Sequence, residues 1–278
     1  MLVPSIIILI VLIIVPLVYL FYNSLFYFRL TEMVNKRFVG IENYSIISRD
    51  GQFFNALSNT FVYIAIGTGA QMMLGLLLAE ILSRKFRGKN LVRTVLLFPM
   101  IIPPITVGII WWFLYHPTWG FITYFLNVIG VHINWLSNPG IALLAIILAD
   151  TWEWTPFVLL ILMAGYVAIP EDIYEAAEMD GATGWHKFFH ITLPLIKPSI
   201  VVAIIFRTVD IIKVFPKIFV MTGGGPGSAT ETLNLYTYRV GFTYTDIGYS
   251  SALGFTTLLL TLVLTLLIII FSIKGRAI

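Results

Sequence analysis

Long apolar runs recur along the whole of this 278-residue chain, and they restrict its fold more than any other feature. A helix needs roughly 20 mostly apolar residues to cross a hydrocarbon core about 30 Å thick. Only 11% of the residues are charged, against about 25% in soluble domains. The pattern therefore predicts an all-α, polytopic membrane protein rather than a soluble globular domain.

Hydropathy indicates about six transmembrane helices. Their approximate bounds are 2–22, 57–82, 94–115, 141–165, 196–215 and 251–273. The third run contains Pro99, Pro103 and Pro104, which we expect to kink or break the helix where it lines protein or a cavity. The first run is longer than a signal-peptide core and lacks a small-x-small cleavage site, so we interpret it as an uncleaved span.

Basic residues in the short loops predict the orientation of these spans. The densest group lies between the second and third spans and consists of Arg84, Lys85, Arg87, Lys89 and Arg93. By contrast, residues 116–140 contain no lysine or arginine. We therefore expect the basic loop to be cytoplasmic. An even number of spans then places both termini and segment 169–194 on the cytoplasmic side.

Composition excludes several kinds of site. The net charge of +3 fits basic loops facing anionic headgroups, so we expect contact with membrane lipid and no nucleic-acid partner. Because the sequence has no cysteine, it can form no disulfide framework, thiolate nucleophile or cysteine metal site. No histidine lies within a predicted span, so we expect no membrane-buried histidine metal site.

Segment 169–194 is the only long charged stretch between apolar regions in the second half of the chain. Pro170, followed by two acidic residues, is typical of a helix start. We expect Gly181 and Gly184 to break that helix and allow a sharp turn. An apolar stripe follows, formed by Trp185, Phe188, Phe189 and Ile191. The pattern alone leaves two readings open, an interfacial helix lying on headgroups and a docking surface, although the acids would be repelled by anionic lipid.

The spacing within this segment is specific. Three residues separate Glu175, Ala176 and Ala177 from Gly181, and a further nine residues separate Gly181 from Ile191, which Leu193 and Pro194 follow. This pattern resembles the EAA signature of binding-protein-dependent ABC importer permeases, with every signature position filled. Residues 38–44 (FVGIENY) and 221–227 (MTGGGPG) resemble the first external segment and the Gly-rich loop of the sugar-type branch of that family. The resemblance covers nearly the whole chain.

The resemblance implies a permease of the type I ABC importer fold, with a first helix and external segment in residues 1–56 and a core in residues 57–278. In that family the EAA segment, here residues 169–194, is the coupling helix that inserts into a cleft of a cytoplasmic ATPase. The resemblance implies an ATPase-coupling role for eight residues of this segment, namely Glu175, Ala176, Ala177, Asp180, Gly181, Ile191, Leu193 and Pro194.

The implied complex lies in a prokaryotic inner membrane. Its other members are a second homologous permease, two ATPase subunits and an extracytoplasmic solute-binding protein. The sequence has no GxxxxGK[ST] phosphate-binding loop, so we expect ATP and Mg²⁺ in the partner ATPase, and neither a cofactor nor enzymatic activity in this chain.

Charged residues within the predicted spans are the second candidate site. Each costs at least about 2.5–3.5 kcal/mol at the bilayer centre, so such residues face a cavity or pair with one another. We interpret them, with a neighbouring tryptophan, as a polar path for a hydroxylated solute; ion pairing of Arg207 with Asp150 or Asp210 is the structural alternative. The substrate-path candidates are Asp150, Trp152, Glu153, Arg207, Asp210 and Lys213.

The glycine-rich loop after the fifth span has two readings. Gly223, Gly224, Gly225 and Pro226 could form a backbone-lined contact for solute or binding protein on the external side, or simply a flexible break.

Taken with the resemblance, these features lead us to expect a permease subunit of an ATP-driven importer for a saccharide or related polyol. The alternative is a stand-alone secondary transporter that uses the intramembrane acids. An intramembrane protease is not favoured, because no histidine lies within a span.

Overall fold

The computed structural model describes residues 3–84 and 86–274, and most of them are helical. Lys85 and both chain ends, on which part of the predicted orientation depends, lie outside the described residues. In chain order the helices are α1 (Val3–Ser24), α2 (Glu42–Ile47), α3 (Gly51–Tyr63), α4 (Gly69–Ser83), α5 (Lys89–Leu97), α6 (Pro104–Leu114), α7 (Phe121–Val128), α8 (Ala142–Val167), α9 (Glu171–Met179), α10 (Gly184–Lys187), α11 (Leu193–Leu195), α12 (Lys197–Ile212), α13 (Pro216–Met221), α14 (Leu233–Tyr238) and α15 (Ile247–Lys274).

Short turns of other helix types join several of these elements. The 3-10 turns are Leu30–Asn35 and Phe98–Ile101. The π-helical turns are Ile64–Thr68, Phe188–Thr192 and Arg239–Thr243. The π turn at Ile64–Thr68 links α3 to α4, so the two helices form one continuous apolar run.

Membrane-spanning length is reached by four helical runs in the described residues. These are Ser5–Ser24, Gly51–Ser83, Ala142–Val167 and Ile247–Ile273. Two bent pairs also qualify if each counts as one span, namely Lys89–Ile101 with Pro104–Leu114 and Gly184–Leu195 with Lys197–Ile212. Four spans, or six with the bent pairs, agree with the all-α membrane fold predicted from hydropathy.

The third predicted span is broken rather than gently kinked. Its two halves meet at an angle of 98°. Ile102 and Pro103 have extended backbone at the break, and Pro104 opens α6 in the first helical turn. Proline lacks an N–H and disfavours helical conformation in the residue before it, so consecutive prolines end one helix and start another. The predicted break is therefore present.

Helix α8 is the centre of the fold and packs against α4 and α12. Its contact with α4 is very close, because a Cβ atom at Gly75 would lie 2.7 Å from Cγ1 of Val158. Small residues at such positions let helix backbones approach in a membrane. Helices α1 and α15 pack together at the periphery, and neither has a buried residue in its most apolar window.

A small antiparallel sheet of β1 (Phe26–Tyr27) and β2 (Arg37–Phe38) follows α1. It packs directly on the first turn of α15, where the N–H of Gly248 donates to the carbonyl oxygen of Phe28 at 3.0 Å. A Cβ atom at Gly248 would overlap the carbonyl oxygen of Phe26. The absence of a side chain at this glycine therefore allows the strand to contact the helix.

Substitution of Gly248 by alanine should loosen this contact and destabilise the protein by about 1–3 kcal/mol, the usual range for overpacking. Gly254 on the same helix is the matched control, because its Cβ atom would meet nothing nearer than Leu20 Cδ1 at 3.5 Å. The measurement is the thermal midpoint of each purified variant in detergent. Equal midpoints for Gly248→Ala and Gly254→Ala would contradict the close packing.

Candidate functional site

The EAA segment contains a defined helix end. Gly181 has φ +77°, a left-handed conformation that glycine adopts without steric cost. Its N–H donates to the carbonyl of Glu178 at 3.0 Å, and the N–H of Ala182 donates to the carbonyl of Ala177 at 2.9 Å. This pair of hydrogen bonds is a Schellman motif, which closes the last turn of α9. Gly181 therefore ends α9, as the sequence predicts.

Gly184 has a different role from the one expected. It is the first residue of α10 rather than a second break. Thr183 caps this helix, since its Oγ1 accepts a hydrogen bond from the backbone N–H of His186 at 3.3 Å. A single left-handed residue is enough to reverse the chain, so Gly184 needs no unusual backbone conformation.

Side chains hold the two parts of the EAA segment together. The hydroxyls of Tyr174 and Thr192 lie 2.8 Å apart, and Lys187 Nζ donates to Glu178 Oε1 at 2.7 Å. The hydrogen bond from Lys187, with its positive charge, lowers the pKa of the Glu178 carboxyl. Glu178 is nevertheless exposed, so solvent screens this ion pair and it contributes little to stability.

The signature residues divide into anchoring and exposed groups. Ala177 is buried, and Ile191 and Leu193 are partly buried. The exposed group consists of Glu175, Ala176, Asp180, Gly181 and Pro194. A surface hollow of about 400 Å³ lies between the two parts, lined by Ala177, Asp180, Gly181, Ala182, Thr183, His186 and Ile191. The segment therefore exposes a concave surface that includes the acids Glu175 and Asp180, while Ala177, Ile191 and Leu193 pack against the protein.

The intramembrane charges form a buried network. Asp150 and Glu153 on α8 and Arg207 on α12 are each at most 2% exposed. Arg207 Nη2 donates to Asp150 Oδ2 at 2.8 Å. Lys217 on α13, 1% exposed, donates to both Asp150 and Glu153. Two cations and two carboxylates therefore neutralise one another inside the helix bundle, which offsets the cost of placing charge there.

Gln71 on α4 completes this network. Its Nε2 donates to Asp150 Oδ2 at 2.9 Å, and its Oε1 accepts from Arg207 Nε at 2.6 Å. The guanidinium of Arg207 also lies 4.9 Å from the ring centroid of Trp154. The network therefore joins four helices, α4, α8, α12 and α13, at one point.

Neither Lys217 nor Gln71 was predicted as a site residue. The predicted end of the fifth span at residue 215 leaves Lys217 in the loop that follows, which is wrong, because α13 packs against α6 and buries this lysine in the bundle. A signal was available, since Lys217 lies within an otherwise apolar run from Val214 to Met221. Gln71 gave a similar signal, as the only strongly polar side chain between Thr68 and Glu80.

Of the other substrate-path candidates, Asp210 and Lys213 lie at the edge of the network, and Trp152 lies away from it. Asp210 is 37% exposed at its side chain and accepts from Arg207 Nη1 at 3.3 Å. Lys213, 66% exposed, lies 3.7 Å from the same carboxylate. Both ion pairs considered for Arg207, with Asp150 and with Asp210, are thus present. Trp152 is on another face of α8, where it contacts Trp111.

The glycine-rich loop is held in place by hydrogen bonds. Thr222 Oγ1 and Thr230 Oγ1 lie 2.7 Å apart, and the Thr230 hydroxyl also donates to the carbonyl of Gly225 at 2.8 Å. Arg239 Nη2 donates to the carbonyl of Gly223 at 2.7 Å. These contacts make the loop a structured connection, which argues against a flexible break.

Comparison with known proteins agrees with the fold and the EAA segment. The family model described as "Binding-protein-dependent transport system inner membrane component" matches residues 71–275. The trehalose/maltose transport system permease protein of Thermococcus litoralis is 37% identical over 96% of this chain and 90% of its own length. The sulfoquinovosyl glycerol transport system permease protein of Agrobacterium fabrum is 37% identical over 95% of this chain and 86% of its own length.

A solved structure shows the same fold at lower identity. It is a bacterial ABC transporter involved in the import of the acidic polysaccharide alginate, with a TM-score of 0.86 and 23% identity. The match covers 99% of this chain and 94% of the solved one. The fold and the EAA segment define an ABC transporter permease. This chain belongs to the family of binding-protein-dependent transport system inner membrane components.

Proposed function

We propose that this chain is a permease subunit of an ATP-driven importer for a saccharide or related polyol, coupled to a separate ATPase through its EAA segment. The exposed, glycine-ended EAA segment carries this proposal, because it is a rigid surface suited to docking a partner. The relatives described above are named for the transport of trehalose, maltose and a glycerol glycoside, which supports a hydroxylated solute.

The proposed coupling follows the connectivity of the EAA segment. The helical run Gly184–Leu195 joins α12 with a bend of 65°. Helix α12 carries Arg207, which holds Asp150 of the central helix α8. A displacement of the docked EAA segment would therefore act on the charge network without passing through a flexible linker. ATP and Mg²⁺ bind the partner ATPase in this mechanism, and closure of two ATPase subunits supplies the displacement.

The proposed solute path passes the outer part of the charge network. A cavity of about 250 Å³ lies here, and five charged side chains contribute to its otherwise apolar wall, namely Asp150, Arg207, Asp210, Lys213 and Lys217. Asp210 and Lys213 are the accessible members and can exchange their mutual ion pair for hydrogen bonds to solute hydroxyls. Asp150, Arg207 and Lys217 are buried, and they fix the shape of the cavity wall behind Asp210 and Lys213. Glu153 belongs to this supporting group, whereas Trp152 lies outside it.

The proposed complex contains a second permease, two ATPase subunits and an extracytoplasmic binding protein. The EAA segment then faces the cytoplasm, together with the basic loop before α5 and both termini. The glycine-rich loop around Gly223–Pro226 faces the opposite side, where its structured backbone offers a contact for the binding protein or solute.

The test is uptake of maltose and of trehalose by the complete complex reconstituted in liposomes. We expect uptake that requires ATP and the binding protein and that persists when ion gradients are dissipated. A matched complex carrying Glu175→Lys, which reverses an exposed charge on the docking surface, should insert in the membrane but lose most of its uptake. Uptake driven by an ion gradient without ATP would instead favour a secondary transporter and contradict the proposal.

A further inference from the structure

The end of α6 and the chain between α6 and α8 form an aromatic cavity of about 210 Å³. It adjoins the start of α8, whereas the EAA segment follows the end of this helix. The 26 residues of α8 separate the two by about 39 Å at 1.5 Å per residue. The cavity residues used below are Trp112, Tyr115, His116, Asn134, Trp135 and Ser137.

The rings in the cavity wall are held by contacts with one another and with two residues outside the wall, Ala145 and Trp119. Tyr115 is 2% exposed, and its hydroxyl donates to the carbonyl of Ala145 at 3.1 Å. Trp135 stacks on Tyr115 with ring centroids 4.8 Å apart. On the other side, Trp119 stacks on His116 at 3.6 Å, and Trp112 meets the His116 ring edge at 5.6 Å. The wall is therefore preorganised.

Polar groups with unused hydrogen-bonding capacity accompany these rings. Asn134 and Ser137 are exposed residues of the cavity wall whose side chains make no hydrogen bond to another described residue, so they are free to exchange water for a ligand. The indole N–H of Trp135 is buried without a partner in the described part of the chain. Ligand sites typically combine apolar and aromatic walls with a few polar groups that fix orientation. This cavity has that composition.

We propose that the cavity binds one sugar ring of the transported solute at the entrance to the path. The aromatic faces suit the C–H faces of a pyranose, and Asn134 and Ser137 suit its hydroxyls. The volume is below the roughly 300–1,000 Å³ of pockets for larger ligands, which matches a single ring. This inference rests on the proposed function, since it requires a saccharide as solute.

One residue of the cavity wall is bonded to the helix that carries part of the charge network. The carbonyl of Ala145 that holds Tyr115 is on α8, five residues before Asp150. This spacing corresponds to about 7.5 Å along the helix axis. Through Tyr115 the cavity wall is therefore attached to the helix that carries Asp150.

An interfacial belt of aromatic residues is the competing explanation. The rings of Phe121, Tyr124 and Phe125 on α7 fit that role, because they are exposed and do not line the cavity. Tyr124 therefore serves as the matched control. A site for sugar requires the cavity residues, whereas a belt would tolerate loss of either kind of ring to a similar degree.

The first test measures uptake kinetics of maltose and trehalose in the complete reconstituted complex. Trp112→Ala should raise KM about fivefold with kcat nearly unchanged, the pattern expected when binding alone is lost. Trp112→Phe should retain most of the affinity, and Tyr124→Ala should match the wild type. Equal KM values for Trp112→Ala and Tyr124→Ala, with wild-type uptake intact, would overturn the cavity proposal alone. A wild-type complex that imports no saccharide or polyol with ATP and the binding protein would overturn the proposed function as well.

A second test does not depend on removing a ring. The chain has no cysteine, so Ser137→Cys introduces a unique thiol in the cavity wall, and Asn138→Cys introduces one beside it. Under transport conditions, maltose or trehalose should slow maleimide labelling of Cys at position 137 about threefold or more, since bound ligand excludes the reagent from a concave site. Labelling at position 138 should not change. Equal labelling rates with and without an imported sugar would contradict binding at this cavity.

Discussion

Substitution of Lys217 by methionine should destabilise the permease by about 3–5 kcal/mol, the usual cost of removing one partner from a buried ion pair. Lys217 donates to both Asp150 and Glu153, and no other cation bonds to Glu153 in the described structure. Methionine fills a similar volume but leaves two buried carboxylates with only Arg207 to balance them. We expect a lower thermal midpoint and a lower yield of intact complex in detergent.

Lys213→Met provides the matched control. This lysine is four residues earlier, is 66% exposed and lies 3.7 Å from Asp210. Loss of an exposed ion pair costs about 0–1 kcal/mol, so its midpoint should stay near that of the wild type. A Lys217→Met variant as stable as Lys213→Met would show that the network contributes nothing to stability.

Charge balance gives a second check on the same network. Glu153→Gln added to Lys217→Met removes one charge of each sign and leaves Asp150 paired with Arg207. The double variant should recover at least half of the lost stability, because effects of contacting residues are not additive. Failure of this rescue would mean that shape rather than charge balance explains the loss.

The network also shows how far sequence can locate an intramembrane site. Asp150, Glu153 and Arg207 were found because each is a charge within a long apolar run. Lys217 was missed because it lies two residues beyond the predicted end of the fifth span, although the chain on both sides of it is apolar. Hydropathy analysis assigns every residue between two spans to a loop. Only the tertiary fold therefore shows that α13 returns to the bundle.

The EAA segment was more accessible to sequence reasoning. Its spacing predicts a helix, a turn at Gly181 and a second helical part, and all three occur. The contacts between Tyr174 and Thr192, 18 residues apart in sequence, could not be predicted because they depend on how the two parts fold together. The aromatic cavity was equally hidden, since its residues are divided between the end of the predicted third span and the loop of residues 116–140.

Substitution of Gly181 by proline should uncouple ATP hydrolysis from transport while leaving insertion intact. Proline fixes φ near −65°, whereas Gly181 requires +77° and an N–H that bonds to Glu178. The Schellman end of α9 cannot form, so the exposed residues from Glu175 to Gly181 would no longer present one surface. No Cβ contact lies within 4 Å of Gly181, so the effect comes from the backbone rather than from packing.

Two further glycine variants make this prediction specific. Gly181→Ala places a side chain in left-handed backbone at a cost of about 1–2 kcal/mol, and should give an intermediate loss of saccharide-stimulated ATP hydrolysis. Gly184→Ala is the control, because Gly184 lies in ordinary helical backbone with open space around it, and its activity should stay near the wild type. The measurements are ATP hydrolysis with and without loaded binding protein, and recovery of the assembled complex. If Gly181→Pro retained normal stimulation in a fully assembled complex, the EAA segment would not be the site of coupling.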